Sequence, residues 1–201
     1  MKKIMYAILA MMFIAPAAWA QTTQGSKSIG GGFEYYSNKQ ENIYGNYDYE
    51  SSSFEIMPQV GYFIIDNLEV GVLLNYTSGK SGYTQLDPTK NSSFSVGPFA
   101  RYYKFTSNER FAFTGTFSVS FGSGKTTYPS SSESKTGNMG VFISPGFTYF
   151  LSEKWGLDFQ LQGIGFTSYD PNKDVDDDNS KTITFGVSSF TPSIGFRFFI
   201  N

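Results

Sequence analysis

The sequence contains neither cysteine nor histidine among its 201 residues. Without cysteine, the chain forms no disulfide, carries no lipid anchor on a cysteine and offers no thiolate nucleophile. Without histidine, no imidazole can activate any of the many serines, which excludes serine–histidine catalysis. Carboxylate-only chemistry would need a positioned acid–base pair. We therefore expect a non-enzymatic protein that has no catalytic residues and no cofactor.

Basic charge and long apolar runs are also scarce. Removing Lys2 and Lys3 leaves 13 basic residues against 17 acidic ones, a formal charge of −4. A nucleic-acid-binding protein needs a basic footprint, so nucleic acid is excluded as a partner. No stretch after Ala20 reaches the roughly 18 consecutive apolar residues that a transmembrane helix needs. The 18% aromatic residues, 21 glycines and mean hydropathy of −0.24 suit instead a barrel whose residues alternate between lipid and lumen.

The first twenty residues have the three parts of a secretory signal peptide. A basic start at Lys2 and Lys3 precedes a short apolar run, and Ala18-Trp19-Ala20 forms a small-x-small end. A buried helix or a membrane anchor is the alternative interpretation. We predict a signal peptide at residues 1–20 and one β-barrel domain at residues 21–201.

Apolar residues recur at every second position after Ser26, which is the signature of β-strands. The alternation is clearest where Phe111, Phe113 and Phe117 are separated by small or polar residues. Most of the predicted strands reach the roughly 9–11 residues that a tilted strand needs to cross a membrane. We predict eight strands, at residues 27–36, 51–65, 68–77, 92–105, 110–122, 138–151, 155–168 and 181–200.

The predicted connections alternate between short turns and long loops. The short turns fall at residues 66–67, 106–109 and 152–154, and the long polar loops at residues 37–50, 78–91, 123–137 and 169–180. This sorting is typical of bacterial outer-membrane barrels, whose long loops lie outside the cell. An even number of strands lets the first and last strands pair, and closure removes the edges that lipid cannot satisfy. The sequence therefore predicts an all-β protein, an eight-stranded antiparallel transmembrane β-barrel with an up-and-down meander.

Four prolines mark an internal repeat. They are Pro58, Pro98, Pro145 and Pro192, at intervals of 40, 47 and 47 residues. Each lies in an even-numbered predicted strand, so the repeating unit is a hairpin. Proline removes a donor from the strand ladder, and we expect a local bulge at each of these positions. A break in the alternation also predicts a bulge near Ser188 and Ser189.

The repeated hairpins resemble the outer membrane protein β-barrel domain family, the small eight-stranded barrels similar in form to OmpA and OmpX. The resemblance rests on the repeat of the type Pro58-Gln-Val-Gly-Tyr-Phe, on Asn67-Leu-Glu-Val-Gly and on Ile194-Gly-Phe-Arg-Phe-Phe-Ile. It covers essentially the whole chain after residue 20. It implies a protein of the Gram-negative outer membrane, surrounded by outer-membrane lipid and inserted by the outer-membrane assembly machinery. Its motifs are specific for architecture and weak for activity.

Six charged residues share the polar face of the predicted strands. Because an eight-stranded barrel is only wide enough for side chains to fill it, charges inside must pair or meet trapped water. We interpret them as a plug in which the two arginines bridge carboxylates, with a narrow gated pore as the alternative. The six lumen residues are Glu34, Glu55, Glu69, Arg101, Asp158 and Arg197.

Aromatic residues cluster at both ends of the predicted strands, as in the interfacial girdles of membrane barrels. Beside the short turns they include Tyr62, Tyr102, Tyr103, Tyr149 and Trp155. Toward the long loops they include Tyr35, Tyr36, Phe54, Tyr76, Phe94 and Phe121. In the first long loop, Tyr44, Tyr47 and Tyr49 suggest either an adaptable recognition surface for an extracellular partner or loop packing.

The acidic segment after Tyr169 partly matches a calcium-binding loop. Oxygen ligands alternate there at Asp170, Asn172, Asp174 and Asp176. Val175 replaces the turn glycine, however, and Lys181 stands where the closing glutamate is expected. We therefore predict a solvated acidic loop and no metal site, with calcium binding as the alternative.

Three functions fit these observations. The first is a non-enzymatic outer-membrane barrel that contributes to envelope integrity or to surface interactions through its long loops. The second is a narrow porin-like channel for small solutes. The third is an exported, soluble, lipocalin-like barrel for an apolar ligand, which would turn its large apolar face inward. Gly, Ser and Thr crowd the polar face, which suits a narrow interior and favours the first function.

Overall fold

The computed structural model describes residues 21–43, 47–129, 132–161, 163–173, 179–185 and 193–201. The signal peptide predicted at residues 1–20 lies outside this part of the chain. The same is true of Tyr44, Asp174, Asp176, Ser188, Ser189 and Pro192. Among the described residues, no helix is long and apolar enough to cross a membrane.

Alternating side chains, rich in aromatic and β-branched residues, favour extended backbone along most of the chain. β7 and β8 lie end to end along β6, and β9 and β10 follow one another along β8 and β7 in the same way. The strands of the described chain are β1 (Lys27–Ile43), β2 (Tyr47–Ile65), β3 (Leu68–Tyr83), β4 (Thr89–Phe105), β5 (Phe111–Thr127), β6 (Glu133–Phe150), β7 (Trp155–Gln160), β8 (Ile164–Asp170), β9 (Ser180–Phe185) and β10 (Ser193–Ile200).

These strands close into one antiparallel barrel with eight strand positions. From β1 to β6 each strand pairs with its neighbours in the chain. β7 and β8 together occupy the seventh strand position, and β9 and β10 together occupy the eighth. β10 then returns to β1, where Ile200 lies opposite Lys27 and Phe196 lies opposite Gly31. The prediction of a closed eight-stranded meander is therefore confirmed.

The strands extend well into the segments predicted as long loops. β1 and β2 are separated only by residues 44–46, although the sequence predicts a loop at residues 37–50. The hairpins β3–β4 and β5–β6 have similarly short connections, at residues 84–88 and 128–132. The fourth predicted loop, at residues 169–180, does fall between the end of β8 at Asp170 and the start of β9 at Ser180. The first three loop predictions are wrong because strand pairing continues where both faces of a hairpin are polar. Apolar alternation is not required there, so the sequence signal ends before the strand does.

The two ends of the barrel consequently differ. We call the end formed by these extended strands the long-hairpin end. The opposite end, with the turns at residues 66–67, 106–110 and 151–154, is the short-turn end. Asn67 makes the first of these turns tight by adopting a φ of 65°, a conformation that asparagine tolerates better than most residues.

Strand alternation sorts the side chains between the outer surface and the lumen. In β5, Phe113 and Phe117 are 58% and 48% exposed on the outer face, whereas Thr116 and Ser118 are 4% and 9% exposed on the inner face. The apolar face therefore points outward and the polar face lines the lumen. This arrangement overturns the lipocalin-like alternative, which requires an apolar interior.

The repeat prolines interrupt the strand ladder. At Pro58, pairing between β2 and β3 stops for two residues without a change of register. Pro98 leaves the same unshifted gap between β4 and β5. At Pro145, by contrast, the register of β6 against the seventh strand position changes by one residue. The expected bulges are therefore wrong at Pro58 and Pro98, because a residue without an N–H can leave a gap without an inserted residue.

Candidate functional site

Four charged side chains meet inside the barrel near its short-turn end. Glu69 on β3 lies directly opposite Arg101 on β4, while β7 supplies Asp158 and β10 supplies Arg197. Each points inward because alternate residues of a strand face the same side of the sheet. Glu69 is 0% exposed, Arg197 1% and Arg101 4%. Two positive and two negative charges are thus buried together.

Arg197 uses all three guanidinium nitrogens in this cluster. Its Nε donates to Asp158 Oδ2 at 2.7 Å, and its Nη1 donates to Glu69 Oε1 at 2.8 Å and to Ser28 Oγ at 2.9 Å. Its Nη2 donates to Gln59 Oε1 at 2.8 Å. A guanidinium held by two carboxylates and two neutral oxygens has little freedom to move or to bind another anion.

Arg101 reaches the same acceptors from the opposite wall. Its Nη1 donates to Asp158 Oδ2 at 2.8 Å, and its Nη2 donates to Gln59 Oε1 at 3.3 Å. Its Nε donates to Thr116 Oγ1 at 2.9 Å, and its guanidinium carbon lies 5.6 Å from the centroid of the Phe99 ring. Asp158 and Gln59 therefore link both arginines across the lumen.

The two carboxylates are satisfied in the same way. Tyr103 donates its hydroxyl to Glu69 Oε2 at 2.7 Å, and Thr148 donates to Asp158 Oδ1 at 2.6 Å. A Cβ atom at Gly61 would collide with the Glu69 carboxylate, so the missing side chain at Gly61 makes room for this group. We call this assembly the lumen cluster. It consists of Ser28, Gln59, Glu69, Arg101, Tyr103, Thr116, Thr148, Asp158 and Arg197.

Two of the six predicted lumen charges stay outside the lumen cluster. Glu34 lies opposite Glu55 in the register of β1 and β2, and its side chain is exposed. Glu55 accepts a hydrogen bond from Asn75. In the described part of the chain, no ion pair joins either glutamate to an arginine. Both lie farther from the short turns, where the lumen opens and water can solvate a carboxylate.

An aromatic layer fills the lumen between the lumen cluster and the short-turn end. The rings of Phe63 and Tyr103 lie 5.6 Å apart, and those of Phe150 and Phe199 lie 5.3 Å apart. Phe63, Tyr103 and Phe199 are 0% exposed. Assigning Tyr103 to the interfacial girdle is therefore wrong: it is two residues beyond Arg101 and so shares the inward parity of Arg101.

The aromatic layer itself was not predicted, although a sequence signal for it exists. Phe199 shares the parity of Arg197 on β10, and Phe63 lies opposite Glu69 in the register of β2 and β3. Counting in twos from the inward charges would therefore have identified both rings as interior residues.

Residues 21–26 cover this layer. Gln21 and Thr22 are 0% and 2% exposed. The N–H of Asn67 donates to the carbonyl of Thr22 at 2.7 Å, and the N–H of Gly25 donates to the carbonyl of Phe63 at 2.9 Å. Residues 21–26 thus form a third layer at the short-turn end. They are polar and without period, so no pattern in the sequence distinguishes them from an ordinary terminus.

A cavity of about 320 Å³ lies on the other side of the lumen cluster, toward the long hairpins. Its wall mixes apolar side chains, among them Met57 and Phe142, with polar ones, among them Asn75, Ser118 and Gln160. Thr116 and Gln59 of the lumen cluster form part of its wall. The lumen is therefore occupied by side chains at one end and hollow further up.

Aromatic residues form two bands on the outer surface. Near the short turns, Tyr62, Tyr102 and Trp155 are 44%, 53% and 48% exposed, and Tyr149 is half-buried. The ring of Trp155 lies 4.9 Å from that of Phe198. We call the second band, near the long hairpins, the upper aromatic band. Its members include Tyr35, Phe54, Tyr76, Phe94 and Phe121.

The described part of the acidic segment has its own hydrogen bonding. Asp170 Oδ1 accepts the N–H of Asn172 at 3.0 Å, which is the turn that aspartate commonly makes with its own backbone. Within the described ranges, no three acidic, histidine or cysteine side chains converge as a metal site would require. Asp174 and Asp176 lie outside those ranges, so the solvated loop without a metal site stays a prediction, with calcium binding as its alternative.

Comparison with known proteins points to one family. The profile of a family described as "Outer membrane protein beta-barrel domain" matches residues 6–189. None of the curated proteins matches the chain.

Three solved structures are similar to the chain. One is neisserial surface protein A (NspA), at 17% identity and a TM-score of 0.46, with 86% of this chain and 94% of that chain covered. Another is the N-terminal β-barrel domain of Pseudomonas aeruginosa OprF, at 15% identity and a TM-score of 0.42, with 88% and 98% covered. The third is the β domain of the Bordetella autotransporter BrkA, at 16% identity and a TM-score of 0.39, with 79% and 63% covered.

Proposed function

Because this chain belongs to the outer membrane protein β-barrel domain family, we propose that it is a non-enzymatic barrel with a closed lumen, which supports envelope integrity and presents its long hairpins for surface contacts. The barrel lies in the bacterial outer membrane, with lipid against its apolar outer face. In barrels of this kind the short turns face the periplasm and the long connections face the exterior.

The lumen cluster is the main observation that supports the proposal of a closed lumen. An eight-stranded barrel leaves room for side chains and little else, and here two arginines and two carboxylates fill that space. Opening a path for ions would mean separating these pairs, which leaves buried charges without partners. The aromatic layer and residues 21–26 add two further barriers on the periplasmic side.

Conductance tests this proposal directly. Purified protein in planar bilayers should give no steady current at either polarity, because the lumen cluster blocks the path. The same preparation should migrate differently on SDS gels before and after heating, which verifies that a folded barrel was inserted. Reproducible, charge-selective channels of nanosiemens size would contradict the closed lumen and support the porin-like alternative.

The extended hairpins support a role in surface contacts. Between the β1–β2 and β3–β4 hairpins lies a cavity of about 420 Å³ whose lining includes Lys39, Glu50 and Leu86. The rings of Tyr49 and Tyr83 meet edge to face beside it, at 5.4 Å. Half-buried tyrosine among serine, asparagine and glycine is a surface composition typical of adaptable recognition.

Shortening the β1–β2 hairpin tests the proposed role in surface contacts separately from the proposed role in envelope integrity. Ser37 and Ser52 are opposite each other in the register, so an Asn-Gly turn can replace residues 38–51 without disturbing the barrel below. In a deletion strain, the shortened protein should restore detergent resistance but not adhesion or cell aggregation. Full restoration of both would contradict the role of this hairpin, and failure of the intact protein to restore detergent resistance would contradict the role in envelope integrity.

A further inference from the structure

Lysines form a regular row on the outer surface above the upper aromatic band. On six strands, an outward-facing lysine stands four residues beyond an outward-facing aromatic residue or methionine, toward the long-hairpin end. Four residues span about 13 Å along a strand, or about 10 Å along the axis of a tilted barrel. All six lysines are exposed. The pairs are Tyr35 with Lys39, Tyr76 with Lys80, Phe94 with Lys90, Phe121 with Lys125, Met139 with Lys135 and Phe185 with Lys181.

Small residues occupy the outward position between band and lysine on most of these strands. They are Ser37, Ser78, Ser92, Ser123 and Gly137, with Ile183 as the exception. On the β2–β5 side, this recess is a groove of about 440 Å³, bordered by Lys80, Lys90 and Lys125. Three lysines thus border one open groove, whose lining also includes serines and, on the side of the upper aromatic band, the rings of Tyr35 and Phe54.

The register of the strands places lysines directly opposite one another, so their positive charges repel when no anion is bound between them. Lys80 lies directly opposite Lys90, and Lys125 lies directly opposite Lys135. Like charges at directly opposed positions destabilise a strand pair. The chain as a whole has a net charge of −2, so this concentration of lysine does not follow from its composition.

Carboxylates compensate only part of this charge. Lys125 pairs with Glu133 at 2.6 Å, where both side chains are half exposed. Among the described residues, neither Lys80 nor Lys90 takes part in an ion pair. An anion in the groove would relieve the repulsion that the protein leaves in place.

Lys39 differs from its neighbours in this respect. Its Nζ lies 2.9 Å from Asp48 Oδ2 and 3.7 Å from Glu41 Oε1. The hydrogen bond and charge of Asp48 raise the pKa of Lys39 and keep its ammonium group protonated, so the protein itself supplies the counter-charge of this lysine. On β3 to β6, Lys80, Lys90 and Lys135 take part in no ion pair among the described residues, whereas Lys125 is compensated in part by Glu133. We call these four lysines the lysine quartet.

We propose that the lysine quartet binds the phosphate groups of lipid headgroups in the outer leaflet of the outer membrane. The quartet faces outward rather than into the lumen, and it lies about 10 Å above the upper aromatic band, which marks the membrane interface in barrels of this kind. Lysine side chains can bury their stems against the band while their ammonium groups reach phosphate oxygens. The serine hydroxyls of the groove supply hydrogen bonds to the remaining headgroup oxygens.

The test measures lipid affinity in a neutral detergent. The full-length mature protein, folded in maltoside micelles, is titrated calorimetrically with diphosphorylated lipid A, with the same lipid after removal of its phosphates and with inorganic phosphate. We expect binding of the phosphorylated lipid alone. A juxtamembrane lysine contributes about 1 kcal/mol toward anionic lipid, so the triple variant K80Q/K90Q/K125Q should bind about a hundredfold more weakly.

A second triple variant is the matched control. K27Q/K104Q/K154Q removes the same charge from exposed lysines at the short-turn end and should keep the affinity of the unaltered protein within about twofold, since these lysines lie a membrane's width away. An equal loss in both triple variants would overturn the proposal, as would equal affinity for the lipid without phosphates. Inorganic phosphate binding as tightly as the lipid would also overturn it, by showing a soluble anion site. Heat-dependent gel migration verifies that each variant is folded.

Discussion

The side chain of Glu69 has lost all contact with solvent, yet its two oxygens have partners in Arg197, Ser28 and Tyr103. Burying a carboxylate in this way is tolerable only while its cation is present. The same is true in reverse for Arg197, which has Glu69 and Asp158 as its counter-charges. At the scale of single residues, the stability of the lumen therefore depends on charge balance within a few ångströms.

Replacing Glu69 with glutamine should destabilise the barrel by about 3–5 kcal/mol, because it leaves two buried arginines facing one carboxylate. Glu34→Gln removes the same charge at an exposed position and should change the free energy of unfolding by less than about 0.5 kcal/mol. Urea unfolding in lipid vesicles, followed by tryptophan fluorescence, measures both. Equal effects would show that the lumen cluster is not a balanced unit.

Strand parity predicts which side chains enter the lumen, and this is why Glu69, Arg101, Asp158 and Arg197 could be selected from the sequence. Parity carries no information on height along the barrel, however. Glu34 has the same parity but lies where the lumen is open, so its charge is solvated. The ion pairs join charged side chains from four different strands, and no local sequence pattern encodes which carboxylate meets which arginine.

At the scale of strands, the aromatic layer is built by four strands at their short-turn ends: β2, β4, β6 and β10. Each contributes an inward ring to the aromatic layer, and the ring of Phe63 contacts those of two other strands, at 5.6 Å from Tyr103 and 6.3 Å from Phe199. The strands are thus joined at this end by packing as well as by backbone hydrogen bonds.

Truncating Phe63 to alanine should cost about 3–5 kcal/mol, because it leaves a cavity inside a layer that is closed on all sides. Ile64 is the next residue of β2 and points outward, 41% exposed. Ile64→Ala leaves no enclosed cavity and should cost clearly less, again measured by unfolding in vesicles. A larger loss at Ile64 than at Phe63 would contradict the sealed layer.

Strand existence could be predicted from the sequence, but strand length could not. Alternation from Phe111 to Phe121 reflects the lipid that one face of β5 meets. From Gly122 to Thr127 both faces are small or polar, although the ladder with β6 continues without interruption. Backbone hydrogen bonds stabilise this extension, and they leave no trace in side-chain hydropathy.

At the scale of the whole molecule, the sheet is closed into a barrel and its apolar outer surface contacts lipid. Phe117 lies near the middle of the outward stripe from Phe111 to Phe121. Phe117→Arg should destabilise the folded barrel by about 2–4 kcal/mol, the cost of an arginine near the bilayer midplane. Phe117→Leu keeps the position apolar and serves as the control. Indifference of the protein to arginine at this site would contradict the membrane-facing assignment.

The pairing of β10 with β1 places Ile200 beside Lys27 at the short-turn end. The start of the first strand and the end of the last strand are therefore neighbours, and a short peptide could join them without stretching the sheet. Cutting the joined ring at the tip of a long hairpin would yield a permuted chain whose new termini, in the proposed orientation, project from the cell. The seam between the first and last strands thus offers a route to displaying cargo at the bacterial surface on a barrel of unchanged cross-section.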